Sequence, residues 1–365
     1  MKIVQSNDTY KIYGDDLRTY DLLPAQTYVI RYGQFTGFYI QKHLDFEINE
    51  DKIYGVHLEK INKVLRSYNN FERSLGIILS GKKGMGKSLF AKLLAKSVIE
   101  KNIPVIIVDE YVPGIASFIE SIDQEVLILF DEFDKTFGEN YNKENPSSPQ
   151  TEMLSLFDGV ASGKKIFVIT CNNVNNLNEF LINRPGRFHY HLRFEYPSRE
   201  ELTEYLRDKL KEEYYDEIEK VLNFNHRVKL NYDCLRSIAF ELNNGEKFED
   251  AIMDLNIVNT ETPKYSIDLV FEDGMKLECS SQHLDLFNER DEYTRLYDRK
   301  GSSIGEVYFN TKKCLFDKNL GIIYVDKDNF TIDYYSDEDE EKYKSFIPSK
   351  LIIKLEDDMK LHYSI

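Results

Sequence analysis

An α/β fold is predicted for the centre of this 365-residue chain: a parallel sheet with helices on both faces. A helical region follows it, and β-rich segments lie at both ends. Three observations carry the prediction. Short apolar runs at Ile77–Leu79, Val105–Val108, Val126–Phe130, Ile166–Thr170 and His191–Phe194 read as strands too apolar to expose either face. Helical patterns lie between most of them, which is the alternation that builds parallel sheets. After residue 197 the spacing becomes helical throughout, and after Pro263 it alternates with period two. The expected boundaries are 1–50 for an N-terminal β-rich element, 51–196 for the α/β part, 197–260 for the helical part and 264–365 for a C-terminal β-rich domain.

Taken in order, Tyr28–Tyr32 and Gly37–Ile40 flank a glycine-containing turn and predict a hairpin. The segment is too small for catalysis and reads as an adaptor or packing element. Ile77-Ile78-Leu79 leads into Gly81-Lys82-Lys83-Gly84-Met85-Gly86-Lys87-Ser88, which fits G-x-x-x-x-G-K-[ST] at every fixed position. From Ser88 to Glu100, beginning with Leu89 and Phe90, apolar residues recur at helical spacing. Strand, glycine loop and helix start make a phosphate cradle. The glycines turn backbone N–H groups inward, and the helix N-terminus adds its positive dipole end. In that pattern Lys87 reaches the β- and γ-phosphates, and the Ser88 hydroxyl ligates Mg²⁺.

The run Val126–Phe130 ends in Asp131 and Glu132. Hydrolysis needs carboxylates at such a strand end, one to hold the metal (Asp131) and one to polarise the attacking water (Glu132). Helical spacing also marks Ile115–Ile122 and Met153–Val160. Ser198-Arg199-Glu200-Glu201 is a capping box that opens the helical region. Further helices are expected over Asn231–Leu242 and Phe248–Leu255, with Gly245 at the break. In the last region Tyr265–Phe271 alternates and Glu272-Asp273-Gly274 is a hairpin turn. More strands are expected at 321–325, 330–334 and 351–355. Asp337–Glu341 reads as a solvated loop, or as a docking site for a basic partner.

The formal net charge is −16. So acidic a surface repels phosphate backbones, which speaks against nucleic acid as a partner, although a local basic groove is compatible with it. Cys171, Cys234, Cys279 and Cys314 are scattered without a C-x-x-C pair, which speaks against structural zinc or a disulfide framework. Residues Met1–Asp8 lack an apolar signal core, and no run reaches the roughly 20 residues of a membrane span. A soluble, cytoplasmic protein is expected.

Together Gly81–Ser88 and Leu127–Glu132 resemble the Walker A and Walker B segments of AAA+ ATPases. Phe167–Asn172 is similar to the family's sensor-1 strand. Asn183-Arg184-Pro185-Gly186-Arg187-Phe188 is similar to its arginine-finger segment, and Leu156–Val160 to its L-D-G helix end. These motifs place the chain with the AAA clade over roughly residues 50–258. The resemblance implies ATP as substrate and Mg²⁺ as cofactor. It implies adenine contact at Ile53-Tyr54-Gly55 and a γ-phosphate or water contact for Asn172. A loop asparagine in an Asx turn is the alternative there, above all for Asn173. Arg184 and Arg187 would reach the site of an adjacent subunit, so the family implies a homo-oligomeric ring of six. Tyr111-Val112 stands where the family carries a pore loop; a tyrosine packed at a strand end fits equally. Lys82-Lys83 replace the prolines of many relatives. No sensor-2 arginine is secure, and Arg236 reads as a solvated lid residue. The layout, with Gly159–Ser162, resembles AAA proteins of large tailed bacteriophages and, more loosely, the AAA protein that assembles mitochondrial respiratory complexes. If phage-encoded, the protein would work in the host cytoplasm.

Three functions fit these features. The favoured one is an ATP-driven ring that remodels, unfolds or disassembles a protein client. The second is a nucleic-acid motor or loader. The third is an assembly component in which ATP only sets geometry.

Overall fold

The computed structural model describes residues 1–6, 8–48, 50–55, 57–138, 149–158, 163–182, 184–225, 228–257, 264–286, 289–317 and 322–356. Gly159–Ser162 and Asn183 lie outside the described residues. The chain divides into two compact units, Met1–Glu201 with Asn231–Asp233, and Leu202–Leu230 with Cys234–Ile365.

The first unit begins with β1 (Lys2–Ser6) and β2 (Thr9–Tyr13), a two-stranded hairpin of its own. Its main sheet is built from β3 (Thr27–Gly33), β4 (Gly37–Lys42), β5 (Leu75–Ser80), β6 (Val105–Val108), β7 (Val126–Phe130), β8 (Lys165–Cys171) and β9 (Phe188–Arg193). The strand order is β4-β3-β6-β7-β8-β5-β9. Every neighbouring pair is parallel except the β3–β4 hairpin. The expected strands are thus present, in one sheet.

The hairpin of residues 27–42 is not a separate adaptor. Thr27, Tyr28 and Val29 pair in parallel with Val105, Ile106 and Ile107, and the hairpin continues the sheet past β6. The reason is burial: Tyr28, Val29 and Ile30 are apolar on both faces and lie in the core.

Helices α1 (His57–Asn70) and α2 (Lys87–Ile99) cover one face. Helix α3 (Ile115–Glu120), α4 (Phe133–Thr136) and α5 (Pro149–Phe157) cover the other. The period of two sorts each strand between the two cores. Ile77 and Leu79 face α1 and α2, whereas Ile78 faces the opposite layer. Helix α1 was not expected from the sequence. Its buried stripe of Ile61, Val64, Leu65 and Tyr68 has helical spacing but is broken by polar residues.

The second unit contains α6 (Arg199–Lys209), whose first turn belongs to the first unit, then α7 (Ile218–Asn225), α8 (Tyr232–Asn243), whose first two residues belong to the first unit, and α9 (Phe248–Asp254). The capping box forms: Ser198 N donates to Glu201 Oε2 at 2.9 Å, and Glu201 N to Ser198 Oγ at 3.2 Å.

An antiparallel sheet follows: β10 (Lys264–Phe271), β11 (Lys276–His283), β12 (Asp291–Tyr297), β13 (Ser303–Asn310), β14 (Leu315–Asp317), β15 (Ile322–Asp326), β16 (Phe330–Tyr334) and β17 (Pro348–Leu355). Its order is β14-β15-β17-β10-β11-β12-β13-β16, a half-barrel with one apolar core. Residues Asp337–Glu341, expected as a loop, instead open a short helix, α10 (Asp337–Tyr343). The Ser336 hydroxyl accepts from Asp339 N at 3.1 Å, and the acids gather at the positive end of the helix dipole. No described helix is long and apolar enough to cross a membrane.

Candidate active site

The site is built where β5, β7 and β8 end side by side. Strand β5 is buried throughout, and the chain leaves it through Gly81 at φ +149°. A Cβ at Gly81 would stand 2.3 Å from the Phe194 carbonyl oxygen, so only glycine fits. Gly86, at φ +91°, starts α2; a Cβ there would lie 2.9 Å from His57 Nε2. The side chains of Lys82 and Lys83 are exposed. Met85 is in the core, so only its backbone can serve a ligand. Ser88 is exposed at the helix start, and Leu89 is half-buried.

Lys87 is buried, and its ammonium donates to Lys82 O at 2.8 Å, to Asn172 Oδ1 at 3.0 Å and to Gly81 O. Burial lowers its pKa, against the fields of Asp134, Glu132 and Asp131. A buried cation held by neutral oxygens in a cradle of backbone amides fits an anionic ligand.

After the buried strand β7, Asp131 is exposed and Glu132 takes φ 46°, ψ 47°, one of few non-glycine residues described with positive φ. That left-handed turn costs of order 1 kcal/mol or more and is a mark of functional positions. Thr170 on β8 holds it in place. The Thr170 hydroxyl accepts from Glu132 N at 2.8 Å and donates to Asp131 Oδ1 at 2.7 Å. Glu132 Oε1 accepts from Lys135 Nζ at 2.7 Å and from Asn172 Nδ2 at 3.3 Å. The Lys135 bond, then the Asn172 bond, lower the Glu132 pKa, so the carboxylate is charged at neutral pH.

Asn172 therefore sits between Lys87 and Glu132. Its neighbour Asn173 makes the Asx turn, accepting from Asn175 N at 2.9 Å. Asp134 Oδ2 accepts from Asn172 N at 3.0 Å and from Asn173 N at 3.1 Å, which fixes the end of β8. The other Asp134 oxygen is buried with no described partner. Sequence reasoning missed Asp134 and Thr170. The D-E-x-D spacing of 131–134 was the available signal for the first; nothing marked the second.

Tyr54 is buried and its ring stacks on Tyr232 at 6.1 Å, while Ile53 is half-buried and Gly55 exposed at φ +70°. His57 Nδ1 donates to Tyr54 O at 2.9 Å, and its ring lies against Phe194 and Phe90. This buried histidine thus ties the 53–55 segment to the glycine loop. Asn231 Nδ2 donates to Lys83 O at 3.1 Å. Neither His57 nor Asn231 was foreseen.

The arginine segment is orderly. Arg187 forms a two-pronged ion pair with Asp158, Nη2 to Oδ2 at 2.7 Å, and donates from Nη1 to Phe180 O at 3.0 Å. Arg73 holds the turn through Pro185 O at 3.1 Å and Gly186 O. Arg184 is exposed, with its guanidinium 5.0 Å over the Phe180 ring. Tyr111 is half-buried. Its hydroxyl donates to Glu152 Oε2 at 2.5 Å and its ring meets Phe137 edge-on at 5.5 Å. Val112 is half-buried and its carbonyl accepts from Ile115 N at 3.1 Å. Of the two readings of Tyr111, its side chain here follows the packed one. Arg236 is exposed on α8. Among the described residues no group of His, Cys, Asp and Glu is placed to hold a metal ion by itself.

Residues 77–196 match the family model for the ATPase family associated with various cellular activities (AAA). This segment is an AAA ATPase domain. The chain is similar to the proteasome-associated ATPase of Mycolicibacterium smegmatis (strain ATCC 700084 / mc(2)155), at 24% identity over 324 residues, covering 70% of this chain and 52% of that protein. It is similar to the proteasome-associated ATPase of Mycobacterium sp. (strain KMS), at 27% over 327 residues with the same coverage. Protein mac-1 of Caenorhabditis elegans matches at 29% over 150 residues, 38% of this chain and 18% of that protein. The chain spans about half the length of the proteasome-associated relatives. The AAA domain match takes in the loop from Gly81, the acids after β7, the end of β8 and the arginine segment.

Proposed function

We propose that this AAA ATPase domain hydrolyses ATP within a homo-oligomeric ring and that the ring remodels, unfolds or disassembles a protein client. The observation that carries the hydrolytic reading is the hydrogen-bonded series Lys87–Asn172–Glu132 at adjacent strand ends. It joins the residue for the phosphates to the residue for the water.

In this reading the amides of Gly81–Ser88 and Lys87 bind the phosphates, and Ile53-Tyr54-Gly55 receive the adenine. Ser88 and Asp131 hold Mg²⁺, which supplies charge neutralisation at the β- and γ-phosphates when bound. Glu132 takes a proton from the attacking water, and Asn172 orients that water. Arg184, exposed at its turn, reaches the γ-phosphate on the next subunit. Arg187 joins it if it leaves Asp158, and otherwise shapes the loop that presents Arg184. The helices of 197–260 act as the lid, and the β-rich regions choose the client. Six subunits, a cytoplasmic setting and a phage origin belong to the same proposal. The mycobacterial relatives are named as ATPases associated with a proteasome, which supports a polypeptide client over nucleic acid, as does the acidic balance of the chain.

Glu132→Gln tests it. The variant should bind ATP as tightly as the parent and release phosphate at least about a hundredfold more slowly, a loss typical of a missing general base. Parent-like hydrolysis by Glu132→Gln would end this assignment.

A further inference from the structure

On the outer face of the half-barrel three tyrosines stand together: Tyr293, Tyr308 and Tyr335, which are 55%, 42% and 55% exposed. Tyr293 and Tyr308 are direct cross-strand partners on β12 and β13, with rings stacked at 5.9 Å. One carboxylate organises the group. Glu306 Oε2 accepts from the Tyr308 hydroxyl at 2.5 Å, and Oε1 accepts from the Tyr335 hydroxyl at 3.1 Å. The rings are therefore held in place while their faces stay open. Amphipathic, pre-ordered tyrosines of this kind are what interfaces use, since little side-chain freedom is left to lose on binding.

Two features say what fits. The first is charge. Glu306 sits between Arg295 and Asp333 in the cross-strand register, two carboxylates to one guanidinium. The local balance is negative. The second is an edge. Strand β16 ends the sheet order, and among the described residues it pairs only with β13. Its outer backbone can take another strand.

We propose that this face binds an extended, lysine- or arginine-bearing polypeptide as an added strand beside β16, with cationic side chains seated against Tyr335 and Asp333 and reaching Tyr308 and Glu306 on β13. The proposal deepens the client part of the preceding reading, yet its test needs no nucleotide, so the two can fail separately.

The probe is a fluorescein-labelled, unstructured peptide of about twelve residues alternating lysine with serine or valine, long enough for one strand with flanks. A matched peptide carries glutamate for lysine. With full-length protein, fluorescence anisotropy should show binding of the lysine peptide that weakens steeply with salt, and none of the glutamate peptide. The double variant Tyr308→Ala, Tyr335→Ala should bind about tenfold or more weakly, as loss of paired aromatic anchors does, with ATP turnover and circular dichroism unchanged. If that variant misfolds, amide exchange on the parent decides. The peptide should slow exchange at residues 331–335 and leave the opposite edge strand β14 unaffected. Equal binding of both peptides, parent-like binding by the folded double variant, or no protection at 331–335 would each overturn the proposal. So would preferential binding of oligothymidine to the same face.

Discussion

Replacing Asp134 by alanine should disable the site from behind. Asp134 reaches neither substrate nor metal in the account above. It accepts two backbone amides, Asn172 N at 3.0 Å and Asn173 N at 3.1 Å, through one oxygen. Hydrogen bonds to a charged acceptor contribute about 1.5–3 kcal/mol each. Asn173 is exposed, so water can replace its bond at little loss; Asn172 is half-buried, and its amide would be left unmatched. Against this, alanine removes a carboxylate oxygen that is buried without a described partner, which recovers part of the loss. The expected net destabilisation is about 1–3 kcal/mol, most of it from the Asn172 amide. The larger effect should be on chemistry. With the end of β8 released, Asn172 no longer holds its place between Lys87 and Glu132, and a misplacement of about 1 Å costs on the order of a hundredfold in rate. Urea unfolding followed by circular dichroism gives the first quantity, and a coupled phosphate-release assay gives the second. Asp134→Asn keeps one acceptor in place and should lie between parent and alanine in both. A folded Asp134→Ala variant with parent stability and parent turnover would refute the reasoning.

Three further outcomes are expected. Gly81→Ala should abolish nucleotide binding, measured by titration of a fluorescent ATP analogue, because the new Cβ would stand 2.3 Å from Phe194 O at a φ of +149°. Stability should carry a pH signature from His57, whose pKa burial depresses below 6.5, with Lys60 opposing and Glu201 favouring its charge. The unfolded chain takes that proton first, so the contribution is full above 6.5 and is lost as pH falls below it. His57→Asn, whose amide can still donate to Tyr54 O, should flatten that slope in urea melts; an unchanged slope would remove His57 as its source. Tyr111→Phe breaks only the bond to Glu152. If Tyr111 is a packing residue, the variant should lose about 1 kcal/mol and keep client remodelling; loss of remodelling at normal ATPase would favour the pore role.

Much of this was legible in the sequence because the chemistry is local. The glycine loop, its flanking strand and helix, and the two acids after β7 lie within continuous segments whose spacing carries their meaning. The continuous apolar runs, with helices between them, likewise foretold a sheet buried on both faces. What was hidden depends on contacts distant in sequence. Thr170 meets Asp131 and Glu132 from another strand, and His57 meets Gly86 from a helix too polar in pattern to stand out. The hairpin of residues 27–42 read as a separate piece because nothing local says that Tyr28 pairs beside Ile106. Asp337–Glu341 read as loop because a charge run suggests solvent, whereas Ser336 as a cap turns the same acids into a helix start.

The measurement that bears most directly on the ring is complementation between two inactive variants. Lys87→Ala cannot hold the phosphates; Arg184→Ala keeps its own loop but gives its neighbour no guanidinium at that turn. Mixed at equal concentration, the two should recover ATP turnover that neither shows alone, and the recovery should vanish on dilution. No recovery at any concentration, or full turnover by Arg184→Ala as a dilute monomer, would contradict the claim that each site is completed by the subunit beside it.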